Sequence, residues 1–321
     1  MADKKTITFE MLIEDYCGSR QLREATIWSY YKVTTTFLNF VGGNVNPEDI
    51  SRADVHLWRK KVLNEQKLST WTWNCKVRHM RALFNHGITS SLLNLTENPF
   101  IKAVVRQEGK SKKILSPKQM TSLYIVMERH EIMESHGLWR GRCALMPVRF
   151  WLTVLDTLRY TGMRQNQLLN LRMGDILRDE EMIVLEARSA KNHNENRVPV
   201  TPALRERLYP LMDELELRGM KKEDQLFNVS WFFVGKDAAT TRMGIYSIRA
   251  FFRRLSRECG FAVSPHRFRH TIATELMKQP ERNLKIVKDL LGHSSIHTTL
   301  EYVAGDIEGI RQALKKYSGK K

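Results

Sequence analysis

The chain has 321 residues, 42% of them hydrophobic, which suits two domains better than one. No window approaches twenty consecutive apolar residues, and Met1 to Phe9 is polar and charged; neither a transmembrane helix nor a secretory leader is expected, and the protein is expected inside the cell. Lysine and arginine number 52 against 35 acidic residues, a net charge of +17 split as +5 over residues 1–110 and +12 over residues 111–321, as a clamp around a polyanion such as nucleic acid requires.

Composition alone leaves open a merely basic soluble protein and one that binds an anionic membrane surface. The four cysteines, Cys17, Cys75, Cys143 and Cys259, are far apart and form no CxxC pair. They read as reduced thiols rather than as a disulfide or zinc framework.

Residues 8–100 read as helical. Ala25 to Val41 carries Ile27, Tyr30, Tyr31, Thr34, Leu38 and Val41 at helical spacings, and Gly42-Gly43 stops it. A second helix is expected over Asp49 to Gln66, with Val55, Trp58 and Val62 near one face. A third runs from about Ser69 to His86 and carries Lys76, Arg78, His79 and Arg81 among aromatics. That interleaving suits a helix lying on a phosphate backbone, and it equally suits a solvated face.

Glu97-Asn98-Pro99 ends the helical region. Lys102, Arg106, Lys110, Lys112 and Lys113 then make a basic linker, and the boundary falls near residue 108: a helical domain over 1–107 and a second domain over 108–321. Ser116-Pro117 opens a new helix, serine as N-cap and proline at the first helical position. The second domain is mainly α with one small strand-rich insert. Met182 to Ala187 is β-prone, Asn192 to Asn196 is a polar turn, and Arg197 to Val200 returns as a strand. Helical patterns cover 143–160, 202–218, 245–258, 266–278 and 283–291. No internal repeat is present.

Three stretches carry chemistry. In Ser264-Pro265-His266-Arg267-Phe268-Arg269, the helix start places His266 and Arg269 at i and i+3 on one face, where the dipole and free N–H groups favour an anion. In Thr161-Gly162-Met163-Arg164, a long apolar helix breaks at glycine and a second begins beside another guanidinium. In Leu290-Leu291-Gly292-His293, an apolar helix stops at glycine; Tyr302 follows nine residues after His293. Singly, each has an ordinary structural explanation.

Together, "TGMR…LLNL", "PHRFRHT" and "LLGHSSIHTT…Y" resemble the three principal boxes of the tyrosine recombinase (phage integrase-like) family, in order and spacing, over about 140 residues. The helical N-terminal region is similar to that family's core-binding domain in size and position. The resemblance implies a site-specific recombinase or integrase that cuts and rejoins DNA through a 3′-phosphotyrosyl link at Tyr302. It implies Arg164 and Arg269 on the non-bridging oxygens, His266 assisting proton removal from Tyr302, and His293 bonded to the phosphate. A lysine on the family's β-hairpin, followed by a basic residue and a "VP" strand, implies Lys191 as general acid, ahead of Arg197-Val198-Pro199.

One departure stands out. The family commonly carries an acidic residue three positions after the first arginine, and here that place holds Gln167. Glutamine can hydrogen-bond but cannot offset positive charge.

The resemblance further implies no metal or nucleotide cofactor, and four protomers acting on two DNA duplexes with paired half-sites. It is compatible with an accessory DNA-bending or directionality factor and with a cytoplasmic, nucleoid-associated protein of bacterial, phage or mobile-element origin. The segment Asp306 to Tyr317 reads as an amphipathic helix, either docked on a neighbouring protomer or packed on its own domain. With the core-binding region near the start of the sequence, a simpler Xer-like or integron-like arrangement is expected. The rival readings are a type IB topoisomerase, a DNA-binding regulator of the same fold without catalysis, and a membrane-surface protein.

Overall fold

The computed structural model describes residues 7–107, 113–138, 143–185, 196–233, 241–278, 284–292 and 295–300. Lys110, Lys112, Lys191, His293, Tyr302 and the segment Asp306 to Tyr317 lie outside these described residues. The chain divides into two units, Met1–Lys110 and Ser111–Lys321.

The first unit contains helices α1 (Phe9–Gly18), α2 (Glu24–Val41), α3 (Arg52–Lys60) and α4 (Thr70–Thr89). Its core is aromatic: Phe9, Phe37, Trp58, Trp73, Phe84 and Phe100 are buried together. Trp58 meets Phe37 at 4.9 Å and Trp73 at 5.3 Å, both edge-on, the geometry that ring quadrupoles prefer. Each buried aromatic removes enough apolar surface to contribute roughly 1.5–3 kcal/mol.

Helix ends follow the local chemistry. α2 stops where Gly42 adopts φ of 103°, a left-handed conformation that glycine reaches without Cβ strain. The helix expected from Asp49 begins instead at Arg52. Pro47–Asp49 is a separate 3₁₀ turn, and Ser51 with Asp54 forms a capping box that fixes the start. α3 then runs into a π turn over Lys61–Glu65.

The buried Asn74 of α4 is satisfied by the main chain that follows the helices. Its Nδ2 donates to Val105 O at 2.8 Å, and its Oδ1 accepts from Val105 N at 2.9 Å. Trp73 Nε1 donates to Ala103 O at 2.8 Å. These bonds lay residues 103–105 along α4 while leaving no buried amide group orphaned there.

The second unit begins with α5 (Pro117–Ser135). Ser116 and Gln119 form the capping box, and Pro117 occupies the first helical position. α6 (Val148–Thr161) is buried along nearly its whole length and is the axis of the unit. Its buried polar groups are all engaged. Thr153, Thr157 and Thr161 each donate to the carbonyl four residues earlier. Asp156 accepts from Tyr124 Oη at 2.5 Å and pairs with Arg207 Nε at 3.1 Å. Burial raises its carboxyl above the ordinary range, and those partners pull it back.

α7 (Gln165–Asn170) leads into a three-stranded antiparallel sheet of β1 (Ile176–Leu177), β2 (Met182–Leu185) and β3 (Asn196–Pro199), in the order β1-β2-β3. Ile183 pairs with Val198, and both point into the core. Asn196, which the sequence places in a turn, is the first residue of β3 and pairs with Leu185. Its amide has a structural partner, described below, that a turn tip would not have. α8 (Pro202–Leu217), α9 (Ile245–Cys259), α10 (Pro265–Lys278), α11 (Leu284–Leu291) and α12 (Ile296–Leu300) follow. The expected class, mainly α with a small antiparallel sheet, is the one observed.

Gly87 sits where α4 passes Leu12 and Leu93. A Cβ there would lie 2.7 Å from Leu93 Cγ and 2.9 Å from Leu12 Cδ1. Alanine gains about 1 kcal/mol of helix propensity over glycine, while overpacking two buried leucines costs about 1–3 kcal/mol. Gly87→Ala is therefore expected to lower the stability of the first unit in denaturant unfolding. A rise in stability would show that the leucines yield freely.

Candidate active site

The site is assembled around the end of α11. α6 ends at Gly162, whose φ of 61° turns the chain sharply. A Cβ there would lie 2.9 Å from Ile272 Cγ2 and 3.0 Å from Leu291 Cδ2, so α6, α10 and α11 meet at a point that admits only hydrogen. Thr161 Oγ1 accepts from Met163 N at 3.2 Å and steadies the turn. Arg164 then occupies the N-cap of α7, and its main-chain N–H donates to Gln167 Oε1 at 2.8 Å. Gln167 is 3% exposed, so this bond satisfies a group that water reaches poorly.

The Arg164 side chain crosses to α11, where Nη2 donates to Gly292 O at 3.3 Å. Arg269, on α10, is 5% exposed and donates twice: Nη1 to Gly162 O at 2.8 Å and Nη2 to Leu291 O at 2.6 Å. Both guanidiniums thus bond carbonyls at the end of a helix, where main-chain acceptors lack helical partners and the dipole is negative. Hydrogen bonds from charged donors contribute roughly 1.5–3 kcal/mol each. A small core of Ala273, Met277, Val287 and Leu291 holds α10 and α11 together beneath them.

A third donor belongs to the same helix end. Asn196 Nδ2 donates to Leu290 O at 3.2 Å. Gly292 closes α11 with φ of 57°, and its N–H donates to Asp289 O at 3.0 Å.

The structure therefore brings Arg164, Arg269 and Gln167 together, next to the residue that precedes His293. His266 lies in the first turn of α10 with its ring exposed, 6.4 Å from that of His270 and nearly parallel to it. Lys191, His293 and Tyr302 are outside the described residues. Asn196 went unnoticed in the sequence because its partner is a carbonyl 94 positions away, and a carbonyl leaves no signature in residue type.

The basic residues of the first unit separate onto different faces. Lys76 is half-buried, its ammonium 5.4 Å from the Trp58 ring centre. Burial, with Lys32 nearby, lowers it below the usual lysine range. Arg78 is exposed and donates from Nε to Asn74 O at 3.2 Å. Arg81, three residues on, shares the Arg78 side of α4, not the Lys76 side. Lys113 is exposed at the start of the second unit.

Residues 113–308 match the phage integrase family, and residues 11–92 match the phage integrase N-terminal SAM-like domain. A putative tyrosine recombinase XerC of Pseudomonas aeruginosa is 35% identical over 96% of this chain and 71% of its own length. A second, from Pseudomonas syringae, is 32% identical over 97% of the chain and 64% of its own length. Among solved structures, the Tn1549 transposon integrase in complex with a circular intermediate DNA superimposes with a TM-score of 0.71 at 18% identity, over 97% of this chain and 99% of that one. XerH site-specific recombinase bound to its palindromic difH substrate gives 0.66 at 18%, over 97% and 85%. At such identities the two structures establish the fold.

Removing the Gln167 acceptor leaves the Arg164 N–H unsatisfied, at a cost of about 1–3 kcal/mol. Gln167→Ala should lose that much stability in denaturant unfolding of the second unit. Gln167→Glu keeps the acceptor beside a guanidinium and should stay within about 1 kcal/mol of the parent. Equal stability of Gln167→Ala and the parent would remove the capping role.

Proposed function

The chain belongs to the phage integrase family of tyrosine site-specific recombinases, and on that footing we propose that Tyr302 cuts duplex DNA with Arg164, Lys191, His266, Arg269 and His293 around the scissile phosphate. One observation carries this assignment: Arg164 and Arg269, 105 positions apart in the chain, converge on the consecutive carbonyls of Gly292 and Leu291, beside His293.

The Tyr302 phenol oxygen attacks phosphorus, and the bond to the 5′ oxygen breaks. A 3′-phosphotyrosyl link and a 5′-hydroxyl result, so the energy of the phosphodiester is preserved for rejoining. Lys191 supplies the proton to the leaving oxygen, and His266 assists removal of the proton from Tyr302. An unassisted phenol with a pKa of about 10 is roughly 4 kcal/mol short of ionised at pH 7, which is the size of the help required. Negative charge growing on the non-bridging oxygens is met by Arg164 and Arg269, with His293 bonded to the phosphate. Attack of a 5′-hydroxyl from a second duplex reverses the step and completes the exchange. Gln167 contributes by holding the Arg164 main chain, not by balancing its charge.

In this reading residues 1–107 grip DNA, using Lys76, Arg78 and Arg81, and residues 108–321 cut it; Lys110, Lys112 and Lys113 lie in or next to the connecting segment. Four protomers act on two duplexes with paired half-sites, and an accessory bending or directionality factor can join them. The site of action is the bacterial cytoplasm and its nucleoid.

Expression of the parent and of Tyr302→Phe in a bacterial host, followed by rapid denaturation and sequencing of covalently attached DNA, tests the nucleophile. Adducts should form with the parent alone and cluster at one short motif. Adducts that persist in Tyr302→Phe would overturn the assignment, and scattered parental adducts would favour relaxation chemistry over site-specific exchange. Arg269→Ala is expected to lower adduct yield by about 10²–10³-fold.

A further inference from the structure

Among the described residues, three side chains donate to carbonyls at the end of α11, and two of them belong to the proposed phosphate site. The third, Asn196, has no part in the chemistry above. Its Nδ2 takes the carbonyl of Leu290, Arg269 takes that of Leu291, and Arg164 takes that of Gly292. Three successive carbonyls are thus claimed by three side chains from three different elements. Water would satisfy the end of a surface helix as well, so the arrangement does more than fill valences.

A second observation places Asn196 next to Arg164. From the position a Cβ would take on Gly292, Asn196 Nδ2 lies 3.5 Å away and Arg164 Nη1 lies 3.9 Å away. The amide and the guanidinium border the same small space above one glycine. Asn196 is short, neutral and held in a strand paired with Leu185, so it is a fixed reference for the helix end. Arg164 is a long side chain whose terminal bond is the longest of the three.

We propose that Asn196 is a positioning residue. By holding the end of α11 to β3, it sets the Gly292 carbonyl, and through it the Arg164 guanidinium, at the place where the non-bridging oxygens of the scissile phosphate arrive. The inference rests on the phosphate-holding role given to Arg164. It predicts an effect on charge stabilisation at phosphorus, with DNA affinity unchanged.

The test uses duplexes carrying the motif recovered by covalent capture, with either an ordinary phosphate or a methylphosphonate at the scissile position. The methylphosphonate has one fewer charged oxygen, so a guanidinium contributes less to its transition state. Cleavage by the full chain is compared with Asn196→Ala, Asn196→Asp and Arg164→Ala. Asn196→Ala should cut the phosphate duplex about 10–100-fold more slowly, the usual penalty for a group displaced by about 1 Å. Its DNA affinity should match the parent, and its thermal unfolding should be lowered only as far as the loss of one hydrogen bond requires. On the methylphosphonate its deficit should shrink several-fold, as should that of Arg164→Ala. Asn196→Asp, of equal volume but without the N–H, should be at least as slow as Asn196→Ala on phosphate.

An Asn196→Ala deficit that is the same on both duplexes, or absent on both, would overturn the inference while Arg164→Ala is relieved. An unchanged deficit for Arg164→Ala would instead bring down the role of Arg164, and the inference with it. Failure of the capture experiment to yield any Tyr302-dependent motif would remove both.

Discussion

The last turn of a helix exposes carbonyls that the helix itself cannot satisfy, and the second unit is organised around one such end. At the close of α11, partners arrive from β3, from α10 and from the N-cap of α7. The same Arg269 that reaches α11 also bonds the end of α6 through Gly162 O. Gly162 itself leaves less than the room of a methyl group against Ile272 and Leu291. One buried guanidinium therefore ties together the ends of two helices, with close packing beneath it. The cost of burying that charge is offset by two short bonds and by a favourable dipole, so stability of the unit and shape of the site have a common cause.

Much of this was legible in the sequence where a residue announces its own role. Ser116-Pro117 marks a helix start, Gly42 and Gly292 mark helix ends, and the arginines beside helix termini stand out because free N–H groups attract anions there. The fold class followed from such signals. Where the sequence misled, a competing local preference decided. Ser51 and Asp54 cap α3 two to three positions later than the hydrophobic pattern suggests. Asn196 has turn-forming chemistry, yet it is paired into β3 and its amide is engaged by α11. Lys76, Arg78 and Arg81 are close in the chain, and helical geometry parts Lys76 from the other two, with its ammonium 5.4 Å from the Trp58 ring centre. For Gln167 the sequence showed a missing negative charge. Its actual bond, to the main chain of Arg164, depends on backbone geometry and was not readable.

The two units solve the problem of buried polarity in different ways. In the first, an aromatic core tolerates few polar groups, and Asn74 and Trp73 use theirs to fasten the chain that leaves the helices. In the second, the central helix α6 carries threonines that bond back to their own helix and an aspartate shared between Tyr124 and Arg207. Apart from exposed Arg149 and the half-buried Arg159 and Tyr160, α6 is buried, so the polar groups along the rest of it must be matched internally. The result is an internally matched axis ending at Gly162, from which the chain passes through Met163 into Arg164.

The acceptors on α11 are main-chain oxygens, and this has an evolutionary consequence. A side chain that bonds another side chain constrains its partner's identity, and the two positions change together over time. Leu290 and Leu291 offer oxygens that any helical residue would offer equally. What limits substitution at these positions is side-chain packing, Leu291 against Gly162 and within the small core of α10 and α11, and not the hydrogen bonds themselves, so paired substitution would leave little trace of the contacts. The connection among β3, α10 and α7 is hidden from covariation, and it becomes visible only in three dimensions.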